Sequence, residues 1–169
     1  MQSSLQSQTL SFGSTRTYLV AFLFIMGNVF LPQLVHLLPQ GGMIWLPIYF
    51  FTLVGTCTYG WRVGLLTALV SPLANSLFWD MPAAASLPAI MLKSVLLVFF
   101  SVFFARRHNK VTVISLIIVV LGYQTAGSLG EWALQGDFAL ACQDFRMGVP
   151  GMIVQIFGGW AVINHLIDR

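Results

Sequence analysis

Lys93, Glu131, Gln124, Asn75 and Gln155 each interrupt a long apolar stretch of the chain. An ammonium, a carboxylate or a primary amide is expensive to keep inside hydrocarbon, so residues of these types there are candidates for function. A lysine and a glutamate suit two tasks. They compensate each other as a buried ion pair. Alternatively they meet a guest molecule, Lys93 holding a carboxylate or phosphate-like oxygen and Glu131 accepting from an amine, amide or hydroxyl. A pair that opens to admit a guest satisfies both readings. The amides divide in the same way, between ligand contacts and hydrogen bonds that tie helices together.

Spacing sharpens the list. Gln124, Gly127, Ser128 and Glu131 follow i, i+3, i+4, i+7 and form one helical stripe. Gly148, Gly151, Gln155 and Gly159 recur on one face of a later helix, and Ser71, Asn75 and Trp79 share a face of an earlier one. The glycines also suit plain close packing of helices. Trp79 and Trp132 neighbour these polar stripes and are candidate walls for stacking on a flat ring. Phe30, Trp45, Tyr49, Phe78 and Phe138 read as an interfacial aromatic belt. His36 reads as a loop histidine beside the turn Pro39-Gln40-Gly41-Gly42.

The elements that must carry these residues are membrane helices. The chain is 57% hydrophobic and 8% charged, a balance no soluble fold of this length could hide from water. The pattern predicts an all-α integral membrane protein with six transmembrane helices, at roughly 16–37, 43–60, 62–79, 87–106, 111–134 and 147–167. The second and third are near the short limit. Arg16, Arg62, Arg106, Arg107, Lys110 and Arg169 fall in or beside alternate gaps, and Asp80, Asp137 and Asp144 fall in the others. By the positive-inside rule both termini are cytoplasmic. Residues 1–15 read as a disordered polar tail and 16–169 as a single six-helix domain. Arg16 before an apolar run mimics a signal peptide, but no small-residue cleavage site follows Phe30, so the first helix reads as retained.

Depth then matters. At 1.5 Å per residue, Glu131 lies roughly 5 Å below the outer end of its helix, Asn75 roughly 6 Å, Lys93 roughly 9 Å, Gln155 roughly 12 Å and Gln124 roughly 15 Å. All are in the outer half. That asymmetry predicts a polar cavity open to the outside and closed beneath.

Several chemistries find no support. The chain has no GxxxxGK[ST] phosphate loop, no HExxH and no GxSxG, so it reads as neither an ATPase nor an enzyme of those kinds. Cys57 and Cys142 fall toward opposite faces, with no CxxC or Cys/His cluster to suggest zinc. An enzyme using either as a metal-reactive thiol is the remaining catalytic reading. The net charge of +3 and the single run Arg106-Arg107-His108-Asn109-Lys110 suit a topology anchor at anionic lipid rather than nucleic-acid binding.

A larger pattern connects these pieces. It runs from Leu38-Pro39-Gln40-Gly41-Gly42-Met43-Ile44-Trp45-Leu46-Pro47 through Tyr59-Gly60-Trp61-Arg62-Val63-Gly64-Leu65-Leu66 and Ser71-Pro72-Leu73. It continues through Asp80-Met81-Pro82 and Leu87-Pro88 to Gly148-Val149-Pro150-Gly151-Met152-Ile153-Val154-Gln155. In order, spacing and size, about residues 17–167 resemble the substrate-binding S components of energy-coupling-factor (ECF) vitamin transporters. The resemblance implies a six-helix subunit in a bacterial or archaeal cell membrane that binds a vitamin or related micronutrient from outside. The ligand would sit among helices 4, 5 and 6 under the external loops. The partners implied are a transmembrane coupling protein and two ATPases, which use the ATP; the chain itself takes no cofactor. The small-residue motif by which helix 1 docks in that family is reduced here to Thr17 and Ala21, Asp80 stands where glycine is common, and Lys93 is an unusual charge. A scaffold of the rod-shape-determining type shares the helix pattern and needs no ligand.

Overall fold

A computed structural model describes residues 9–105 and 111–167. Among the described residues the chain is helical throughout, with no strand. The helices are α1 (Thr15–Val35), α2 (Gly41–Trp45), α3 (Phe50–Tyr59), α4 (Trp61–Trp79), α5 (Leu87–Ala105), α6 (Val113–Gln135), α7 (Phe138–Ala141), α8 (Gln143–Met147) and α9 (Val149–Ile167). Four of them, α1, α5, α6 and α9, are long and apolar enough to cross a membrane. A helix of 19 residues rises about 28 Å, close to the hydrocarbon thickness of a bilayer. The chain is therefore a multi-pass helical membrane protein. Large apolar side chains cover its exterior, among them Leu19, Leu23, Leu34, Leu77, Phe78 and Ile114.

The expected second helix at 43–60 is broken. Leu46 adopts a left-handed φ of 46°, and Pro47 begins a single 3₁₀ turn, Pro47–Tyr49, before α3 starts. Proline has no N–H with which to continue the preceding helix. What remains, α3, spans about 15 Å, too short to cross hydrocarbon alone. Its seven residues Thr52 to Thr58 are all buried. A helix buried on every side sits in the middle of a bundle, and α3 packs against α1, α4, α5 and α9.

Local signals position the rest. Gly60, at φ 101°, makes the reversal between α3 and α4 that a side chain would resist. Thr112 and Ser115 form a reciprocal capping box at the start of α6. Pro88 and Pro150 occupy the first turns of α5 and α9, where a missing N–H costs nothing.

The two ends of the bundle differ. At one end, the segment before α1 is tied to the α3–α4 turn. Leu10 N–H donates to the Tyr59 carbonyl at 3.1 Å, Arg62 donates to the Leu10 carbonyl at 3.3 Å, and the Arg62 guanidinium lies 4.9 Å from the Trp61 ring centroid and 5.5 Å from that of Phe12. Residues 9–14, expected to belong to a disordered tail, are held by these contacts. Residues 1–8, the basic run 106–110 and residues 168–169 lie outside the described residues. At the other end, the α1–α2, α4–α5 and α6–α9 connections converge.

Thr17 and Ala21 also find a different place from the one the resemblance implies. Both are buried on the side of α1 that packs within the bundle, chiefly against α4 and α3. The outward face of α1 carries Leu19, Phe22, Leu23, Phe30 and Leu34 instead. The small residues serve internal packing rather than an external docking surface.

Candidate functional site

Lys93 sits on the inner face of α5 and is only 3% exposed. Its alkyl stem lies on Gly127 of α6; a Cβ there would stand 2.5 Å from the lysine Cγ. The glycine of the α6 stripe thus makes the space through which Lys93 crosses between helices. One turn further along α6, Glu131 places Oε2 2.5 Å from Lys93 Nζ. The second partner is Asp144, whose Oδ2 accepts a hydrogen bond from Nζ at 2.8 Å. The Glu131 contact is an ion pair by distance without hydrogen-bond angles, whereas the Asp144 contact has both. Asp144 belongs to α8, so this bond ties the α6–α9 connection down onto α5.

These three charges form one corner of a cavity of about 400 Å³, within the usual range for small-molecule sites. The α1–α2 connection and the turn after it contribute His36, Met43, Leu46 and Tyr49. The α4–α5 connection contributes Met81, Pro82 and Ser86, with Ile90 from α5. Leu140 and Gln143 close the side nearest α7 and α8. The walls are mainly apolar, with the charges concentrated together. A Cβ at Gly42 would meet the ring of His36, an exposed side chain that would have to turn aside. Gln40, Leu46 and Asp80 all have left-handed φ values, 55°, 46° and 52°. Such backbone in residues other than glycine is costly and persists where surrounding structure enforces it, and all three lie in connections that frame this cavity.

Of the residues expected at the site, Lys93, Glu131 and Asn75 reach the cavity wall. Asn75 is nevertheless committed elsewhere. Pro32 lacks the N–H that would bond the Asn28 carbonyl one turn back, and Asn75 Nδ2 donates to that carbonyl at 2.9 Å. The same amide donates to the Ser71 carbonyl at 3.1 Å, and Asn75 Oδ1 accepts from Gln33 at 3.4 Å.

Gln124 and Gln155 are buried below the cavity and do not line it. Gln155 Oε1 accepts from the Tyr123 hydroxyl at 2.8 Å, and the Tyr123 ring packs 5.4 Å from that of Tyr49 on the cavity wall. The Gln124 amide has no hydrogen-bond partner among the described residues.

Trp79 and Trp132 do not line the cavity either. They are 42% and 46% exposed and pair edge-on with Phe78 and Phe138. Helix rotation explains both displacements. Trp79 is eight residues beyond Ser71, which turns it about 80° from that face, and Trp132 is about 100° around the helix from Glu131. The aromatic belt reading suits these rings better than stacking on a guest, with Tyr49, which is buried, as the exception.

Asp144, Tyr49, His36 and Asn28 were not singled out as site or network residues by sequence. For Asp144 and Tyr49 the deciding event is the folding back of a connection, which leaves no periodic signal. Asn28 did have a legible signal: a polar residue four positions before Pro32 in an apolar helix. Cys57 is buried in the bundle core and Cys142 lies between α7 and α8; neither lines the cavity. Among the described residues no three His, Cys, Asp or Glu side chains converge as a metal-binding set. No family model, no curated protein and no solved structure matches this chain.

Proposed function

We propose that this protein is the substrate-binding membrane subunit of an ATP-driven importer of the ECF type, taking up a vitamin or related micronutrient. The observation that supports this reading best is the cavity of about 400 Å³ with Lys93, Glu131 and Asp144 at its corner. Buried charges that serve packing alone would be sealed by protein, whereas these border a space of ligand size. The cavity lies at the end carrying Asp80, Asp137 and Asp144, which the positive-inside rule makes the outer face. In this reading α4 is one further span and α3, extended by α2 and the Pro47–Tyr49 turn, is the other, so that six spans result; both termini are cytoplasmic, and a coupling protein with two ATPases supplies the energy for import.

The test is native mass spectrometry of the detergent-purified protein, followed by calorimetry with whatever molecule co-purifies. A bound small molecule is expected, with binding strongly weakened in Lys93→Ala and in Glu131→Ala. Unchanged affinity in both variants would place the site elsewhere. A protein that carries nothing and binds nothing fits the scaffold reading instead.

A further inference from the structure

The charges of the site do not cancel, and this bears on what the site binds. Two carboxylates, Glu131 and Asp144, face one ammonium, Lys93. The other titratable side chains on the cavity wall are His36 and Tyr49. Counted as formal charges, two carboxylates against one ammonium leave the corner one negative charge in surplus, in a setting where an unbalanced charge is costly. Lys93 is also already engaged: Nζ holds one oxygen from each acid, Glu131 Oε2 and Asp144 Oδ2. The acids keep a second oxygen each, and their side chains remain 13% and 17% exposed.

We infer that the guest of this cavity is a small organic cation: an amine, amidine or protonated ring nitrogen carried on an apolar body. This inference rests on the binding-subunit reading above and narrows its substrate class. A monocation brings the corner to neutrality and donates to the carboxylate oxygens that Lys93 leaves over. An anion would meet the surplus negative charge and would have to displace Asp144 from Lys93. A bare metal ion is disfavoured because the lysine ammonium already occupies the point between the two carboxylates. The remaining wall, with Leu46, Ile48, Tyr49 and Ile90, accommodates an apolar body, and an aromatic ring beside an acidic corner favours cations further. Lys93 then acts as a positioning residue: it orients both acids and reduces their joint charge to what one cation offsets.

The experiment compares ring compounds of similar body and opposite charge, benzamidinium and phenethylammonium against benzoate and phenylacetate. Binding to the purified full chain in detergent is measured by calorimetry or ligand-observed NMR. The cations are expected to bind at least about tenfold more tightly than the carboxylates, and Glu131→Gln and Asp144→Asn each to weaken cation binding by about tenfold or more. If one variant fails to fold, the other carries the test. Equal or preferential binding of the carboxylates, or cation binding unchanged in the folded variants, overturns the inference and leaves the binding-subunit reading standing. If all four probes bind too weakly to measure, the charge of the co-purifying molecule decides: a cation supports the inference, and an anion or neutral molecule overturns it. Binding of no probe together with an empty purified protein removes both readings.

Discussion

Two clusters of buried polar side chains lie side by side in this bundle and end differently. One joins α1, α3 and α4: Asn28 Nδ2 donates to Thr52 Oγ1 at 2.9 Å and to Ser71 Oγ at 3.4 Å, Asn28 Oδ1 accepts from the Phe51 N–H at 3.1 Å, and Asn75 bonds the carbonyl that Pro32 frees. The other joins α5, α6 and α8 through Lys93, Glu131 and Asp144. The first is neutral, and its amides find partners inside the protein. The second carries unequal charges and borders a cavity. Both are expensive in a membrane, so cost alone does not mark a binding site. What separates them is closure: a polar group whose partners are supplied by the fold is structural, and one whose charge remains unbalanced beside open space is available to a guest.

The largest expected effect tests the charged cluster. Lys93→Met leaves two carboxylates facing each other without a cation and should cost about 3 kcal/mol, the scale for removing one partner of a buried ion pair. Unfolding in graded SDS measures it; a loss below about 1 kcal/mol would mean that water or protons already compensate these acids. Next is the neutral cluster. Asn75→Leu strands the Asn28 carbonyl and should cost about 1–3 kcal/mol, while cation-probe affinity changes less than in Glu131→Gln. A binding defect larger than that of Glu131→Gln, with stability intact, would move Asn75 into the site and erase the distinction between the clusters. The smallest effect belongs to the outer rings: Trp79→Ala and Trp132→Ala should each change stability by no more than about 0.5 kcal/mol and leave probe binding unaltered. Loss of binding in either would show that the outer aromatics reach the guest after all.

Much of this was legible beforehand because hydropathy and helical period are properties of a segment by itself. The apolar runs that become α1, α5, α6 and α9 stand out by length, and Lys93 and Glu131 fall at nearby depths on adjacent helices, so their contact was an open option before any packing was known. Gly127 was legible as a small residue on the polar stripe, although its use as the seat of the Lys93 stem was not. The second helix misled because its apolar content runs straight through Pro47, while the backbone at Leu46 does not.

Residue types along the chain, then, determined that this protein lives in a membrane, that its costly side chains gather toward one end, and that a lysine and a glutamate fall at similar depths there, where they could pair or meet a guest. Packing alone decided that Asp144 returns from a connection to share that lysine, that Asn75 is occupied by a carbonyl on another helix, and that Trp79 and Trp132 turn outward. The physical reason is range. Burial preference and helical phase act over a turn or two, but the inward direction of a face, and the partner a loop brings to it, exist only once the neighbouring helices are in place.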